Sequence, residues 1–397
     1  MHSSSSMFFA SALSTEREVE RALPSLVGQI REQIKGRSIE AAFVFVSPHF
    51  ARSAAAISSG LRRALKPQLL LGCTGEWIIG RDQEIEQQPA ITLVAAHLPG
   101  VMLTPFALFK NWPRLAGQPG ALRATIGAPT EPKLLIMLGD PFSSPMNSIL
   151  DTFHAAYGDL PIVGGMASGS RQPNGNALLL NDQIYHSGAI GVALSGAFDV
   201  DVIVSQGCRP IGDTFTITQA HQNLIYALDG QPALLELQEL FRDLPDEDRL
   251  LIQNSGLFMG RAIDPNQEIL GRGDFLIRGV MGVDQESGVV AVGDHVEQGQ
   301  IIQFHVRDAD TAEEDLMMML FPQSLYDPPR GALLFSCNGR GTRLYDQPNG
   351  DISTIQQALG GVSLAGFFCA GELGPIGGRN FVHGHTASLV LFRPQAG

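Results

Sequence analysis

Short apolar runs that stop at glycine or polar residues recur along this chain, and helical patterns separate them. Leu69–Gly75 reads LLLGCTG with Glu76 behind it, and residues 41–50 form a similar run that ends in polar residues. Runs of this length predict buried strands. The segment 51–65 between them predicts a helix, which Pro67 ends. The pattern therefore predicts a strand, a helix and a second strand, and the second strand opens into a turn of small and polar residues.

The same order of elements occurs three times. A strand, a loop, a helix and a second strand are followed each time by one or two further strands. Where a Pro-Gly or Ser-Gly turn separates two of these strands, we expect a hairpin. Two strands joined by one helix suit a right-handed crossover with parallel strands, and the hairpins add antiparallel strands to it. The three copies cover residues 41–108, 134–205 and 331–392.

Each copy ends its second strand in a turn of small residues. Ligands collect at the carboxyl ends of parallel strands, and glycine lets the backbone approach a ligand closely. Glu76 and Glu372 occupy matched positions, so each is a candidate to hold an ammonium or guanidinium group; the alternative is a cap on a backbone N–H or a pair with an arginine. The aligned turns are Cys73-Thr74-Gly75-Glu76, Ala167-Ser168-Gly169-Ser170 and Cys369-Ala370-Gly371-Glu372.

Two segments depart from the repeat. Residues 15–35 predict an amphipathic helix after a serine-rich lead. Residues 221–330 predict a helix that begins near Pro232, a β-meander over 274–308 and a helix over 309–320. The change of pattern places a domain boundary near the start of the second segment.

The chain is therefore predicted to be an α/β protein with mixed sheets. Repeated strand–helix–strand–hairpin units form two α/β domains, and a β-meander is inserted before the last unit. The predicted divisions are residues 1–37 for the lead and helix, 38–222 for an N-terminal domain and 223–397 for a C-terminal domain.

Composition narrows the class of protein. A hydrophobic content of 44% with 17% charged residues is typical of a globular chain. The formal charge of −13, without a basic stripe, argues against nucleic acid or an anionic membrane as a partner. Four cysteines without a CxxC suit a reducing compartment. The sequence shows no long apolar run and no secretory signal, so we expect no membrane span and a cytoplasmic location.

The segment Ser336–Gly341, SCNGRG, is a second candidate for ligand contact. A Gly-Arg-Gly turn after a strand can form an anion-binding nest, and Arg340 can add a bidentate grip on a carboxylate or phosphate. The alternative is a tight turn with a solvated arginine and an inert buried thiol. Cys337 is a weaker candidate nucleophile, which His49 at the equivalent strand end could serve, although the sequence marks no third orienting residue.

Metal and cofactor chemistry is not expected. His383 and His385 have the spacing of metal ligands on a strand, but a hydrogen-bonded structural role is the commoner alternative. The sequence contains no P-loop, no dinucleotide-binding glycine motif and no HExxH. The candidate ligand-binding residues are Cys73, Thr74, Gly75, Glu76, Gly164, Gly165, Ser168, Cys337, Asn338, Gly339, Arg340, Gly341, Gly371 and Glu372.

Several motifs in one order resemble those of FIST proteins, named for F-box and intracellular signal transduction. The resemblance covers roughly residues 38 to 390 and runs through an N-terminal and then a C-terminal FIST domain. It implies a small-ligand sensory module in signal transduction that binds amino acids or similar compounds. The motifs are GCTGE (72–76), PIVGGMASG (161–169), CRPIGDTFTIT (208–218), FLIRGVMGVD (275–284), SCNGRG (336–341), GFFCAGELGPIG (366–377) and HGHT (383–386).

The leading functional hypothesis is a cytoplasmic small-ligand sensor, not an enzyme. A polar zwitterion would bind between repeats, with its carboxylate at the Asn338–Gly341 turn and its amine at Glu76 or Glu372. Because neither an F-box nor a kinase or cyclase segment is recognisable, we expect a separate signalling protein as partner. The alternatives are an interaction scaffold without a ligand and a hydrolase or transferase that depends on Cys337.

Overall fold

The computed structural model describes residues 6–267 and 269–395. Residues 1–5, which hold most of the predicted serine-rich lead, lie outside the described residues. The chain divides into two compact units. Unit 1 contains the described residues up to Val204, Leu316–Val382 and the described residues from Thr386 on. Unit 2 contains Ser205–Asp315 and His383–His385.

Unit 1 consists of three repeats of the predicted kind, preceded by a strand that the sequence pattern did not predict. That strand and the first repeat comprise β1 (Phe8–Ser14), α1 (Val19–Ile34), β2 (Ala41–Val46), a 3-10 helix (Pro48–Ser53), α2 (Ala54–Leu65), β3 (Leu69–Thr74), β4 (Ile78–Gly80), β5 (Gln83–Ile85), β6 (Ile91–His97) and β7 (Val101–Leu108). Two connecting helices and the second repeat comprise α3 (Trp112–Leu115), α4 (Pro119–Ile126), β8 (Leu134–Gly139), α5 (Met146–Tyr157), β9 (Ile162–Met166), β10 (Leu178–Leu180), β11 (Gln183–Tyr185), β12 (Ala189–Gly196) and β13 (Phe198–Ser205).

Unit 2 is built on a seven-stranded sheet, as far as the described residues show. The strands β18 and β19 pair as a meander predicts, but β20 pairs with β14 and β17 instead of β19. The reason is that β15 already occupies the other edge of β19. The elements of this segment are β14 (Cys208–His221), β15 (Leu224–Leu228), β16 (Gln231–Pro232), α6 (Ala233–Asp243), α7 (Asp246–Ser255), β17 (Phe258–Ala262), β18 (Phe275–Asp284), β19 (Val289–Val292), β20 (Ile301–Arg307) and α8 (Ala309–Leu320).

The third repeat closes the chain. Its elements are a leading 3-10 helix (Phe321–Leu325), β21 (Gly331–Cys337), a 3-10 turn (Gly341–Arg343), α9 (Gly350–Leu359), β22 (Leu364–Cys369), β23 (Glu372–Ile376), β24 (Arg379–His383) and β25 (Ala387–Pro394). The predicted mixed α/β class, the threefold repetition and the insertion before the last repeat are thereby confirmed.

The three repeats exchange hairpins. Each central pair, β2–β3, β8–β9 or β21–β22, is parallel as predicted. The short hairpin that follows the pair leaves its own repeat and extends the sheet of another. The strand orders are β1-β6-β2-β3-β10-β11, β24-β23-β9-β8-β12-β7 and β13-β25-β21-β22-β4-β5. Each repeat therefore completes the sheet of a neighbour, which ties the three together.

The two longer hairpins, predicted at the end of the first and of the second repeat, are wrong in their pairing. The strands β6 and β7 both exist, but they lie in different sheets, as do β12 and β13. Both edges of β6 are already occupied, by β1 and by β2. Its successor β7 therefore crosses to pair with β12.

One apolar core lies between the three sheets, and each outer sheet face is covered by helices. Alternate residues of β2 divide between the two sides: Phe43 and Phe45 belong to the central core, whereas Ala42 and Val44 face the helices. The ring of Phe45 packs on rings from β21 and β22, with centroids 6.1 and 4.9 Å away. The carboxyl ends of the six parallel strands thereby meet in one region.

Candidate functional site

A glycine within the second strand marks the same position in each repeat. A side chain there would collide with the neighbouring parallel strand, because a Cβ would lie 1.9 Å from a carbonyl oxygen in all three cases. Only glycine permits that approach. The pairs are Gly72 with Val44, Gly164 with Met137 and Gly366 with Leu334.

Counting from these glycines corrects the alignment of the turns. Four residues after the glycine stand Glu76, Ser168 and Ala370. The alignment by residue type predicts that Glu76 and Glu372 occupy equivalent positions. The structure shows that they do not. The first and third turns have similar residues, Cys73–Glu76 and Cys369–Glu372. Relative to the marker glycine, however, the turn of the first repeat begins two positions earlier, and this similarity displaced the predicted alignment.

Hydrogen bonds between equivalent positions link the three turns into a ring. The N–H of Ser168 donates to the carbonyl of Thr74 at 3.2 Å, and the N–H of Ala370 donates to that of Met166 at 3.0 Å. The third link runs through a hydroxyl: Ser168 Oγ accepts from the N–H of Glu76 at 2.7 Å and donates to the carbonyl of Phe368. The predicted turns are thus brought together as one junction.

Most of the predicted ligand-binding residues are buried inside this junction. Burial raises the pKa of the Cys73 and Cys369 thiols well above the ordinary value. Both thiols are therefore expected to stay protonated and to act as small packing groups. The predicted residues that lie buried are Cys73, Thr74, Gly75, Gly164, Gly165, Ser168, Cys337, Arg340, Gly341, Gly371 and Glu372, whereas Glu76, Asn338 and Gly339 are half-buried.

Arg340 has a carboxylate partner within the protein. Its guanidinium is fully buried and binds both carboxylate oxygens of Asp351, at 2.8 and 2.7 Å, and the hydroxyl of Tyr345 at 2.8 Å. Ser336 Oγ donates to the same carboxylate. Burial alone would raise the pKa of Asp351, but the guanidinium outweighs it and lowers that pKa. The predicted grip of Arg340 on a ligand would require this pair to break.

Glu372 is likewise held by its own chain. Its carboxylate is fully buried and accepts from the N–H and the hydroxyl of Thr386, at 3.2 and 2.9 Å. Cys337 and His49, suggested as a pair by the sequence, each contact another residue. Cys337 Sγ accepts from the N–H of Gly339 at 3.4 Å, and the ring of His49 contacts Ser47 Oγ at 3.3 Å.

Glu76 lies at the accessible rim of the junction, beside an arginine that the sequence reading missed. Arg343 binds both oxygens of Glu76, at 2.7 and 3.2 Å, and Asn338 donates to the same carboxylate at 3.1 Å. The guanidinium of Arg343 also lies over the ring of Trp77, with 4.1 Å to the centroid. This pairing matches the alternative given for Glu76. Arg343 follows Arg340 by one turn of chain, but only the fold shows which of the two reaches Glu76.

A cavity of about 760 Å³ opens beside the junction, between the first and second repeats. The 3-10 helix after β2 and the first residues of α2 form one wall, and the segments around β10 and β11 form the other. The volume suits a small organic ligand. None of the predicted ligand-binding residues lines it. The lining residues are Pro48, His49, Ala51, Arg52, Ala54, Ala55, Asn174, Gly175, Ile184 and His186.

Hydrogen bonds connect the cavity to the junction. His186 Nδ1 donates to the carbonyl of Asn176 at 2.7 Å. The buried amide of Asn176 accepts from Thr74 Oγ1 at 3.2 Å and donates to Asp140 at 3.1 Å. Thr74 and Asp140 stand at the strand ends of different repeats. The cavity wall is therefore joined to both repeats through one asparagine.

His383 and His385 do not share the face of a strand. The strand β24 ends at His383, and His385 lies in a left-handed turn with its ring against Phe258, 4.5 Å between centroids. Within residues 6–267 and 269–395, no group of three or more histidine, cysteine or acidic side chains is arranged to hold a metal ion. In the same part of the chain, every helix is too short or too polar to cross a membrane.

Comparison with known proteins identifies the family. The FIST N domain matches residues 40–231, and the FIST C domain matches residues 233–375. An uncharacterised protein of Mycobacterium tuberculosis is 36% identical over 383 residues, which are 96% of this chain and 98% of that protein. One of Mycobacterium bovis is 36% identical over 380 residues, 95% and 97% of the respective chains.

The chain therefore belongs to the FIST family, as its motifs predict. FIST domains are associated in general with signal transduction and the sensing of small ligands.

Proposed function

We propose that the protein is a small-ligand sensor in signal transduction, and that its ligand binds in the cavity between the first and second repeats. One observation carries the proposal: a cavity of about 760 Å³ lies beside the strand-end junction and is connected to it by hydrogen bonds. Pockets of this size at the carboxyl ends of parallel strands are the usual place for ligands in α/β proteins. An amino acid or a similar small polar molecule, the class expected from the sequence, fits this volume.

The proposed signal passes through the junction. A ligand that contacts His186 or the loop beside it acts on Asn176, which is bonded to the ends of two repeats. Binding changes the conformational equilibrium only if the ligand favours one arrangement of these loops over the other. The output then requires a separate signalling protein, and we place both proteins in the cytoplasm.

We propose further that the protein acts by binding and not by catalysis. The candidate nucleophile from the sequence is Cys337, which is buried at the end of β21. Labelling with iodoacetamide compares the four thiols. Slow, similar rates are expected, whereas selective rapid labelling of Cys337 would favour the hydrolase or transferase alternative.

Thermal-shift screening of the full chain against amino acids and small organic acids tests ligand binding. A ligand present at ten times its Kd stabilises the native state by about 1.4 kcal/mol, which raises Tm by about 1–3 °C in a chain of this size. No stabilisation by any compound at millimolar concentration would contradict the proposal and favour a scaffold.

A cavity-filling variant locates the binding. Ala55 lies on the exposed side of α2 and lines the cavity, whereas its exposed neighbour Ala56 does not. The variant Ala55→Trp should keep its fold and lose the ligand-dependent rise in Tm. The matched control Ala56→Trp should keep that rise. Equal responses of the two variants would place the ligand elsewhere.

A further inference from the structure

The cavity between the first and second repeats is lined by cationic and neutral groups alone. Arg52, His49 and His186 are its ionisable residues, and none of its described lining residues is acidic. The chain as a whole carries 40 acidic residues and a formal charge of −13. A positive lining in so acidic a chain draws a ligand of negative charge.

Arg52 lines the cavity and differs from several other arginines in having no carboxylate partner among the described residues. Arg62, on the neighbouring helix, pairs with Asp182 at 2.9 Å, and Arg340 and Arg343 have the carboxylate partners described above. Within residues 6–267 and 269–395, no carboxylate forms an ion pair with Arg52, which is exposed. A guanidinium without a protein carboxylate can bind a carboxylate or phosphate through two parallel hydrogen bonds.

Both histidines are held through the same ring nitrogen. His186 Nδ1 donates to the carbonyl of Asn176 at 2.7 Å, and His49 Nδ1 contacts Ser47 Oγ at 3.3 Å. Each ring thereby has a fixed orientation and keeps Nε2 for a further partner. The two histidines on the polar side of the cavity are consequently each anchored by a contact at Nδ1, whereas Arg52 is exposed.

Much of the remaining lining is apolar. Ala51, Ala54, Ala55 and Ile184 contribute methyl groups to the lining. The volume of about 760 Å³ is far larger than a bare inorganic anion fills. The occupant that matches this lining has a charged head and an uncharged organic body.

We propose that the cavity binds a small organic acid, with its carboxylate or phosphate group at Arg52 and its uncharged body against the alanine wall. This inference rests on the proposed function and narrows its ligand class. A free amino acid is disfavoured, because its ammonium group meets no carboxylate in the lining and lies near a guanidinium. The ligand is therefore an acid without a free amine.

Isothermal titration calorimetry on the full chain at pH 7 tests this, with four phenyl compounds that differ in charge. Both 3-phenylpropionate and phenyl phosphate should bind at least about tenfold more tightly than the neutral 3-phenylpropionamide, which lacks the charge for the hydrogen bonds to Arg52. They should also bind at least about tenfold more tightly than phenylalanine, whose ammonium group loses water without meeting a carboxylate in the lining. The tighter of the two anions identifies the head group. Similar affinities for the acid, the amide and the amino acid, or no binding of any, would overturn the inference.

Arginine variants locate the head group. Arg52→Gln should weaken binding of the anions by about tenfold or more and leave the amide unaffected. Arg63→Gln serves as the control, since Arg63 is exposed on α2 and does not line the cavity. Equal effects of the two variants would contradict the assignment.

The outcomes also distinguish a failure of the proposed anion specificity from a failure of the proposed sensor function. If a zwitterionic or neutral compound binds and Ala55→Trp abolishes its binding, the sensor function stands and the anion assignment fails. If no screened compound shows binding that depends on Ala55, the proposed function itself fails.

Discussion

Glu84 provides the most direct test of how the exchanged hairpin of the first repeat is bound to the third repeat. It lies on β5, in the hairpin that the first repeat contributes to the sheet of the third, and is 5% exposed. Its Oε1 accepts from the N–H of Ile352 at 3.0 Å, and Oε2 has no hydrogen-bond partner among the described residues. Burial, together with the nearby charge of Asp351, raises the pKa of Glu84 from 4.5 to about 8.

This pKa has a defined consequence for stability. The folded state keeps a proton on Glu84 that the unfolded chain releases above pH 4.5. The contribution of Glu84 to the free energy of unfolding is therefore fully present below pH 4.5 and is lost as the pH rises through about 8. At 1.36 kcal/mol for each tenfold change in proton affinity, the loss between pH 6 and pH 9 is about 2–3 kcal/mol. Glu84→Gln removes the titration and keeps an oxygen for the N–H of Ile352.

Urea denaturation at pH 6 and pH 9 measures the effect. Both tryptophans of the chain, Trp77 and Trp112, lie in unit 1, so their fluorescence reports on the unit that contains Glu84. Relative to wild type, Glu84→Gln should gain about 2–3 kcal/mol between pH 6 and pH 9. The exposed Glu32→Gln should track wild type. A difference between Glu84→Gln and wild type that stays constant with pH would refute the reasoning.

Two further predictions concern the junction. Gly164→Ala should destabilise unit 1 by about 3–5 kcal/mol or prevent folding, because the new Cβ meets a backbone oxygen; Gly28→Ala on α1, where a Cβ meets nothing within 4 Å, should stabilise by about 0.5–1 kcal/mol. Ser168→Ala should lower the urea midpoint by an amount equal to about 1–3 kcal/mol, because an N–H and a carbonyl lose their shared partner. The control Ser170→Ala should change the urea midpoint little. Equal losses in the two variants would contradict the role of Ser168 in linking the turns.

Local sequence patterns were sufficient to predict the repeats but not their connections. Apolar runs and helical periods are set by neighbours along the chain, so the strand, helix and strand of each copy could be predicted. The three-residue strands β4 and β5 carry almost no such pattern. Their exchange onto another repeat depends on contacts such as that of Glu84 with Ile352, which are distant in sequence.

The sequence predicted strand-end turns as the candidate site, but none of the ligand-binding residues it named lines the cavity. The strand-end turns do meet, and the cavity opens beside them. The sequence could not show that Arg340 pairs with Asp351, or that His186 joins Thr74 through Asn176, because those contacts form only on folding. A signal for Arg52 was nevertheless present, because it follows the first strand of its repeat, as Arg340 does, in the segment that connects that strand to the helix.

The central claim is that the cavity between the first two repeats is the ligand site. Hydrogen-exchange mass spectrometry tests it most directly, on the full chain with and without the compound that gives the largest thermal shift. The account predicts slower exchange in peptides that cover residues 47–56 and 174–187, and no change in those peptides for Ala55→Trp. Protection that is confined to other segments, such as 336–343, would contradict the claim.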